Sequence, residues 1–154
     1  MDWGHLFFKF NGRASRARFW IAVLVFTVIN VVLAILDYVT DQNVIFQALN
    51  SMLGIVILIA SIAVGVKRLH DRNKSGWYLL LFYFLPGILA ALSVLIGEFV
   101  EDSSIIATVL ALLAFALVVW AFIEMGCLRG TIGANQYGPD PVAPATIPPV
   151  RLPT

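Results

Sequence analysis

Residues 56–97 read VILIASIAVGVKRLHDRNKSGWYLLLFYFLPGILAALSVLIG, and this stretch decides the fold. Two apolar segments flank one island of charge that runs from Lys67 to Lys74. The segments are apolar on every side instead of alternating in polarity. That excludes spanning strands and fits helices solvated by lipid, whose backbone groups are satisfied within the segment. The island puts cations where two such helices would turn at a membrane surface.

The same pattern extends to both ends of the chain. Apolar runs cover 19–36, 44–66, 77–96 and 105–127. A bilayer core of about 30 Å needs roughly 20 helical residues at about 1.5 Å each, so all four runs qualify as spans. The second is the least apolar, because Gln47, Asn50 and Ser51 occupy its first third. Composition agrees: 60% of the 154 residues are hydrophobic and 12% are charged, with mean hydropathy +0.92. A water-soluble domain carries about 25% charged residues, so this chain has too little polar surface to wet a globule.

Charge sets the expected orientation. Lys9, Arg13, Arg16 and Arg18 precede the first run, Lys67, Arg68, Arg72 and Lys74 separate the second from the third, and Arg129 and Arg151 follow the fourth. All 10 basic residues therefore fall on one side of a four-span model. The opposite loops hold Asp37, Asp41, Glu98, Glu101 and Asp102. The positive-inside rule assigns the basic side to the cytoplasm. A cleaved signal peptide is the competing reading of the first run, but that run exceeds an apolar h-region of about 7–15 residues and no small-x-small site follows it.

The expected fold is therefore all-α: a polytopic membrane protein with four transmembrane helices and both termini cytoplasmic. Residues 1–137 form one transmembrane domain and 138–154 a proline-rich cytoplasmic tail, since every proline except Pro86 lies between Pro139 and Pro153. Trp3, Leu6, Phe7 and Phe10 fall at i, i+3, i+4 and i+7, which predicts a short interfacial helix before the first span. Trp20, Trp77 and Tyr78 stand where basic loops meet apolar runs, as interfacial aromatics do. Ser61 and Gly65 offer a small-residue packing face, and Pro86-Gly87 is expected to kink the third helix.

Candidate chemistry concentrates at the basic end. Helices one and three both start there, so their unpaired N–H groups and positive dipole ends face it, with Ser15 and Ser75 as N-caps. Arg13, Arg16, Arg68, His70, Asp71, Arg72, Lys74, Ser75 and Trp77 form the candidate site for an anionic lipid headgroup or a partner. The plainer reading is orientation plus general attraction to anionic lipid. His70-Asp71 suggests an imidazole tuned by a carboxylate, weighed against Asp71 pairing with Arg68 or Arg72. Glu124 is the only carboxylate within an apolar run, about 5 Å inside its helix end, and is expected to pair with Lys67 or Arg68. Asn30 is expected to hydrogen-bond across the bundle. The single cysteine, Cys127, forms no internal disulfide, and two histidines without a cysteine cluster predict neither a metal site nor a cofactor.

Three segments, FNGRASRARFW (10–20), RLHDRNKSGW (68–77) and GANQYGPDP (133–141), together resemble the bacterial inner-membrane family of domain of unknown function 805. The sequence departs from the family pattern at Arg18, where an acidic residue is expected. The resemblance implies a multi-spanning inner-membrane protein of unestablished activity and supplies no catalytic residues. It adds Asn135, Tyr137 and Asp140 as a tail motif. With all three motifs on one side, the tail is expected to fold back, bring Asp140 towards Arg13, Arg16 or Arg68, and complete a cap. The leading expectation is a non-enzymatic protein that binds the bilayer's anionic headgroups, a membrane-protein partner or a second copy of itself, and no nucleic acid. The alternatives are an oligomeric solute or ion transporter using Asn30 and Glu124, and a lipid-headgroup enzyme using His70 and Asp71.

Overall fold

The computed structural model describes residues 3–40, 43–100 and 104–142. The tail beyond Val142 and the side chain of Trp3 lie outside that set. The described residues are all-helical, with no strands and one isolated bridge between Asn135 and Gly138. The order is α1 (Trp3–Phe8), α2 (Arg16–Val39), α3 (Val44–Asp71), a π-helical segment (Leu80–Phe84) continuing as α4 (Leu85–Phe99), then α5 (Ser104–Ala121) ending in a second π-helical segment (Phe122–Cys127). Four helices, Arg16–Val39, Val44–Asp71, Leu80–Phe99 and Ser104–Cys127, are long and apolar enough to cross a membrane.

Most of these helices outrun the apolar segments that announced them, because hydrogen bonding and caps end a helix while lipid solvation ends an apolar run. Ser15 caps α2 by accepting from the Arg18 N–H, and Asn43 caps α3 by accepting from the Ile45 N–H at 3.0 Å. The second span, with the most polar start, is the longest helix at 28 residues. Ser51 Oγ donates to the Gln47 carbonyl at 2.8 Å, so that polar start is satisfied within the helix itself. α3 is capped at Arg72, which is followed by Asn73 in the left-handed region with φ 58°.

The third helix starts later than its apolar run, with Trp77 in a turn whose N–H reaches Ser75 Oγ at 3.4 Å. Its expected disturbance at Pro86 takes the form of a wider coil immediately before the proline. The Leu85 N–H donates to the Leu80 carbonyl, an i→i+5 bond. Shifting the register in this way accommodates a ring that has no N–H to donate.

The spans pack as two hairpins, α2 on α3 and α4 on α5. Between hairpins, the helical elements meet where Phe122–Cys127 touches α2 and α3, at the basic end. The buried core sits at that end too: Leu6, Phe19, Ala22, Val64, Leu69, Leu79, Phe82, Ala121 and Met125. Gly65 belongs to a close approach, since a Cβ there would stand 2.8 Å from Leu79 Cδ2. Ser61 instead bonds the Leu58 carbonyl of its own helix. α1 docks on this core through Leu6 and Phe7, with Phe7 against Phe26 at 5.3 Å between ring centroids. The expected apolar stripe stops there: Phe10 lies past the helix end and is exposed.

Candidate functional site

The last turn of α3 delivers Asp71 into the centre of the basic end. Arg13 Nε donates to Asp71 Oδ1 at 3.0 Å, and Arg68 Nη1 donates to Oδ2 at 2.6 Å. All three side chains are 3% exposed or less. A buried charge is tolerated only when paired and hydrogen-bonded, and here one carboxylate sits between two guanidiniums. The remaining guanidinium donors go to carbonyls. Arg13 reaches those of Gly133 (2.6 Å) and Thr131, and Arg68 reaches those of Met125 (2.6 Å) and Leu128.

The end of the fourth span explains why so many cations gather here. A helix C-terminus leaves its last carbonyls unpaired and carries partial negative charge. Met125 and Leu128 are answered by Arg68, Gly126 by the Trp20 indole N–H (3.0 Å), Cys127 by Arg16 Nη1 (2.9 Å) and Arg129 by Arg72. Five consecutive carbonyls, 125 to 129, thus receive donors from α2, α3 and the loop after α3. Lys67 treats α1 in the same way, donating from Nζ to the Leu6 carbonyl. In effect, basic side chains serve as the C-caps of this fold.

The tail closes the cap. Thr131 N–H donates to the Asp71 carbonyl at 2.8 Å, and Asn135 Nδ2 donates to the His70 carbonyl at 2.9 Å. Asn135 and Gly138 exchange backbone bonds of 3.0 and 3.1 Å, forming a tight turn that brings the Tyr137 ring onto His70. The two rings stack at 3.8 Å with planes 3° apart. Asp140 accepts from the Val142 and Gly133 N–H groups, at 2.9 and 3.1 Å. Those two bonds hold its carboxyl below the usual carboxylate value. The fold-back is as expected from the three motifs and brings Asp140 towards Arg13 and Arg16; among the described residues it forms no ion pair there, and its carboxylate caps its own loop.

Two expectations are corrected. Glu124 pairs with Arg72 Nε (3.0 Å) and Lys74 Nζ (3.1 Å), because Lys67 and Arg68 turn towards the Leu6 carbonyl and Asp71. Asn30 bonds the Phe26 carbonyl of its own helix at 2.8 Å and lies in a shallow groove lined by α2 alone. It sits roughly 20 Å farther along α2 than Arg16, well away from Glu124 at the basic end. Of the two readings of His70-Asp71, the pairing of Asp71 with Arg68 is the one found: both Asp71 oxygens face guanidiniums, and His70 Nδ1 faces the Gly12 carbonyl at 3.3 Å.

Sequence reasoning missed Gly130, Gly126 and Thr131. A Cβ on Gly130 would stand 2.0 Å from Asp71 Oδ2, and one on Gly126 would stand 2.7 Å from Trp20 Cζ2. Both glycines are closest-approach points against distant side chains, so no local signal marks them.

Beside the cap, α3 and the start of the third span enclose a groove of about 470 Å³. Its walls are Ile62, Val66, Leu79, Leu80, Tyr83 and Phe84, and its polar end holds His70, Ser75 and Tyr137, with Trp77 at 78% exposure on its edge. Small-ligand sites occupy roughly 300–1,000 Å³ and have mainly apolar walls with a few placed polar groups.

The chain is similar to the inner membrane protein YhaH of Escherichia coli K12, 30% identical over 148 residues, covering 92% of this chain and 97% of that one. The inner membrane protein YhaI of the same strain is 26% identical over 132 residues, covering 86% and 85%. The uncharacterized protein YiiR is 30% identical over 144 residues, covering 86% of each chain. No solved structure matches. A family model described as protein of unknown function (DUF805) matches residues 7–139, a span holding every cap contact described above except the Lys67 bond to the Leu6 carbonyl and the two bonds to Asp140. This chain is a member of the DUF805 family of membrane proteins.

Proposed function

We propose that the chain is a non-enzymatic inner-membrane protein, both termini cytoplasmic, whose basic cap binds anionic phospholipid headgroups at the inner surface of the bilayer. The observation that carries this reading is the division of labour among its cations. Arg13 and Arg68 are buried and engaged with Asp71 and carbonyls, whereas Lys9, Arg16, Arg18 and Arg129 are exposed around the same end. The headgroup-binding role therefore falls on the rim, and Arg13, Arg68 and Asp71 hold the platform that carries it. Juxtamembrane cations each contribute about 1 kcal/mol near an anionic leaflet. α1, docked through Leu6 and Phe7 with Phe8 exposed, suits a position in the interface.

The test is the lipid that co-purifies with the full chain from membranes of mixed composition. Wild type is expected to enrich anionic over zwitterionic phospholipid, and a Lys9→Gln/Arg18→Gln/Arg129→Gln variant to lose that enrichment while melting normally. Undiminished enrichment in the variant would refute the reading. Orientation is checked separately with a membrane-impermeant thiol reagent on exposed Cys127 in sealed inside-out and right-side-out vesicles.

A further inference from the structure

The groove beside the cap changes chemistry along its length. Val66 lies in α3, and Leu80 and Phe84 in the opening turns of the third span, all within helices apolar enough to sit among acyl chains. His70, Ser75 and Tyr137 close the other end, at the level of the cap. The polar groups there have definite roles. A carbonyl can only accept, so the Gly12 oxygen 3.3 Å from His70 Nδ1 requires the proton on that nitrogen. The neutral ring then presents Nε2 as an acceptor, and no donor from the described residues reaches it. Stacking on Tyr137 fixes the plane of the ring. Ser75 Oγ accepts from the Trp77 N–H, which leaves its own O–H to donate. One oriented acceptor and one hydroxyl donor thus stand at the mouth of an apolar slot.

We propose that this groove seats one phospholipid with an anionic, hydroxyl-bearing head of the phosphatidylglycerol type. Its acyl chain lies along Val66, Leu80 and Phe84, a head hydroxyl donates to His70 Nε2, and the phosphate accepts from Ser75. Two common amphiphiles lack this complement, and an ethanolamine head, which has N–H donors, lacks the net negative charge. A fatty acid carboxylate brings acceptors only and sets its lone pairs against that of Nε2, and a choline head has no N–H or O–H to donate. Charge complementarity also favours a net-negative head, since Lys74, next to Ser75 in the chain, and Arg72 share the single carboxylate of Glu124, which leaves that cluster net positive. The proposal rests on the cap being a lipid-binding surface; it names the lipid and its seat.

The experiment is native mass spectrometry of the full chain in detergent, with phosphatidylglycerol, phosphatidylcholine or palmitate added. One phosphatidylglycerol per chain is expected to survive activation, with phosphatidylcholine and palmitate held roughly tenfold more weakly, the value of about one lost hydrogen bond. His70→Ala should bring phosphatidylglycerol down to the phosphatidylcholine level. Leu80→Trp and Phe84→Trp fill the slot from positions that are 48% and 54% exposed, so the fold tolerates them, and each should displace the lipid. Equal retention of phosphatidylglycerol and phosphatidylcholine, tightest retention of palmitate, or indifference to both tryptophan variants would each overturn the proposal. The rim variant separates the two readings. It should lose general anionic enrichment yet keep the single lipid; enrichment without any retained lipid would remove the groove proposal and leave the rim reading intact.

Discussion

Replacing Asp71 with Asn should be the most destabilising isosteric change available in the cap. The substitution keeps the shape of the side chain and removes the one carboxylate between two buried guanidiniums. In the native protein Asp71 receives Arg13 Nε at 3.0 Å and Arg68 Nη1 at 2.6 Å, with the three side chains no more than 3% exposed. Asn retains one acceptor but turns an amide donor towards the other guanidinium. Removing one partner of a buried ion pair costs about 3–5 kcal/mol, because a charge is left uncompensated. The lower end applies here, since Arg13 and Arg68 keep their carbonyl partners at Gly133 and Met125. At roughly 2–4 °C per kcal/mol for a chain of this size, about 3 kcal/mol lowers the melting midpoint by roughly 6–12 °C. The assay is thermal unfolding of the purified protein in detergent, followed by circular dichroism. Adding Arg13→Met to Asp71→Asn removes one of the stranded cations and should recover part of the loss, so the two changes are non-additive. A midpoint within about 2 °C of wild type, or strict additivity in the double variant, would refute the account of Asp71 as the electrostatic centre of the cap.

Gly130→Ala should cost about 1–3 kcal/mol by forcing a Cβ into Asp71 Oδ2, 2.0 Å away, whereas Gly54→Ala, with nothing within 4 Å, should stabilise α3 by about 0.5–1 kcal/mol; paired melts check both. Trp20→Phe should keep the ring packing against Phe122 and strand the Gly126 carbonyl, a loss of about 1–3 kcal/mol in the same assay. Asn73→Gly should be neutral or slightly stabilising and Asn73→Val destabilising by about 1–2 kcal/mol, because φ 58° disfavours a branched side chain. Asp140 has a folded pKa below its ordinary 3.8, so its support of the tail turn is complete above that value and is lost as pH falls through the lowered one. Amide exchange at Gly133 and Val142, corrected for intrinsic rate, should lose protection over that acidic window and hold steady above it.

Much of the architecture was legible locally. The spans could be read because lipid solvation acts on each residue in turn, so a long apolar run records it directly. Ser15 likewise acts within a few residues of itself. Glu124 shows where local reading fails. It stands out as an intramembrane acid, yet Arg72 and Lys74 reach it from the loop after α3, while the nearer guess, Arg68, is drawn to Asp71.

By itself, then, the sequence determined a four-span helical membrane protein with its cations at one end, since hydrophobic length and charge placement are one-dimensional properties. Only the tertiary structure decided which of those cations turn inward. In the GRASRAR segment, Arg13 is buried against Asp71, Arg16 lies at the rim on the Cys127 carbonyl, and Arg18 is exposed. Nothing in their spacing separates them. Their fates depend on where Asp71 and the unpaired carbonyls from Met125 to Arg129 come to rest, and those groups reach Arg13 and Arg16 only once the hairpins meet.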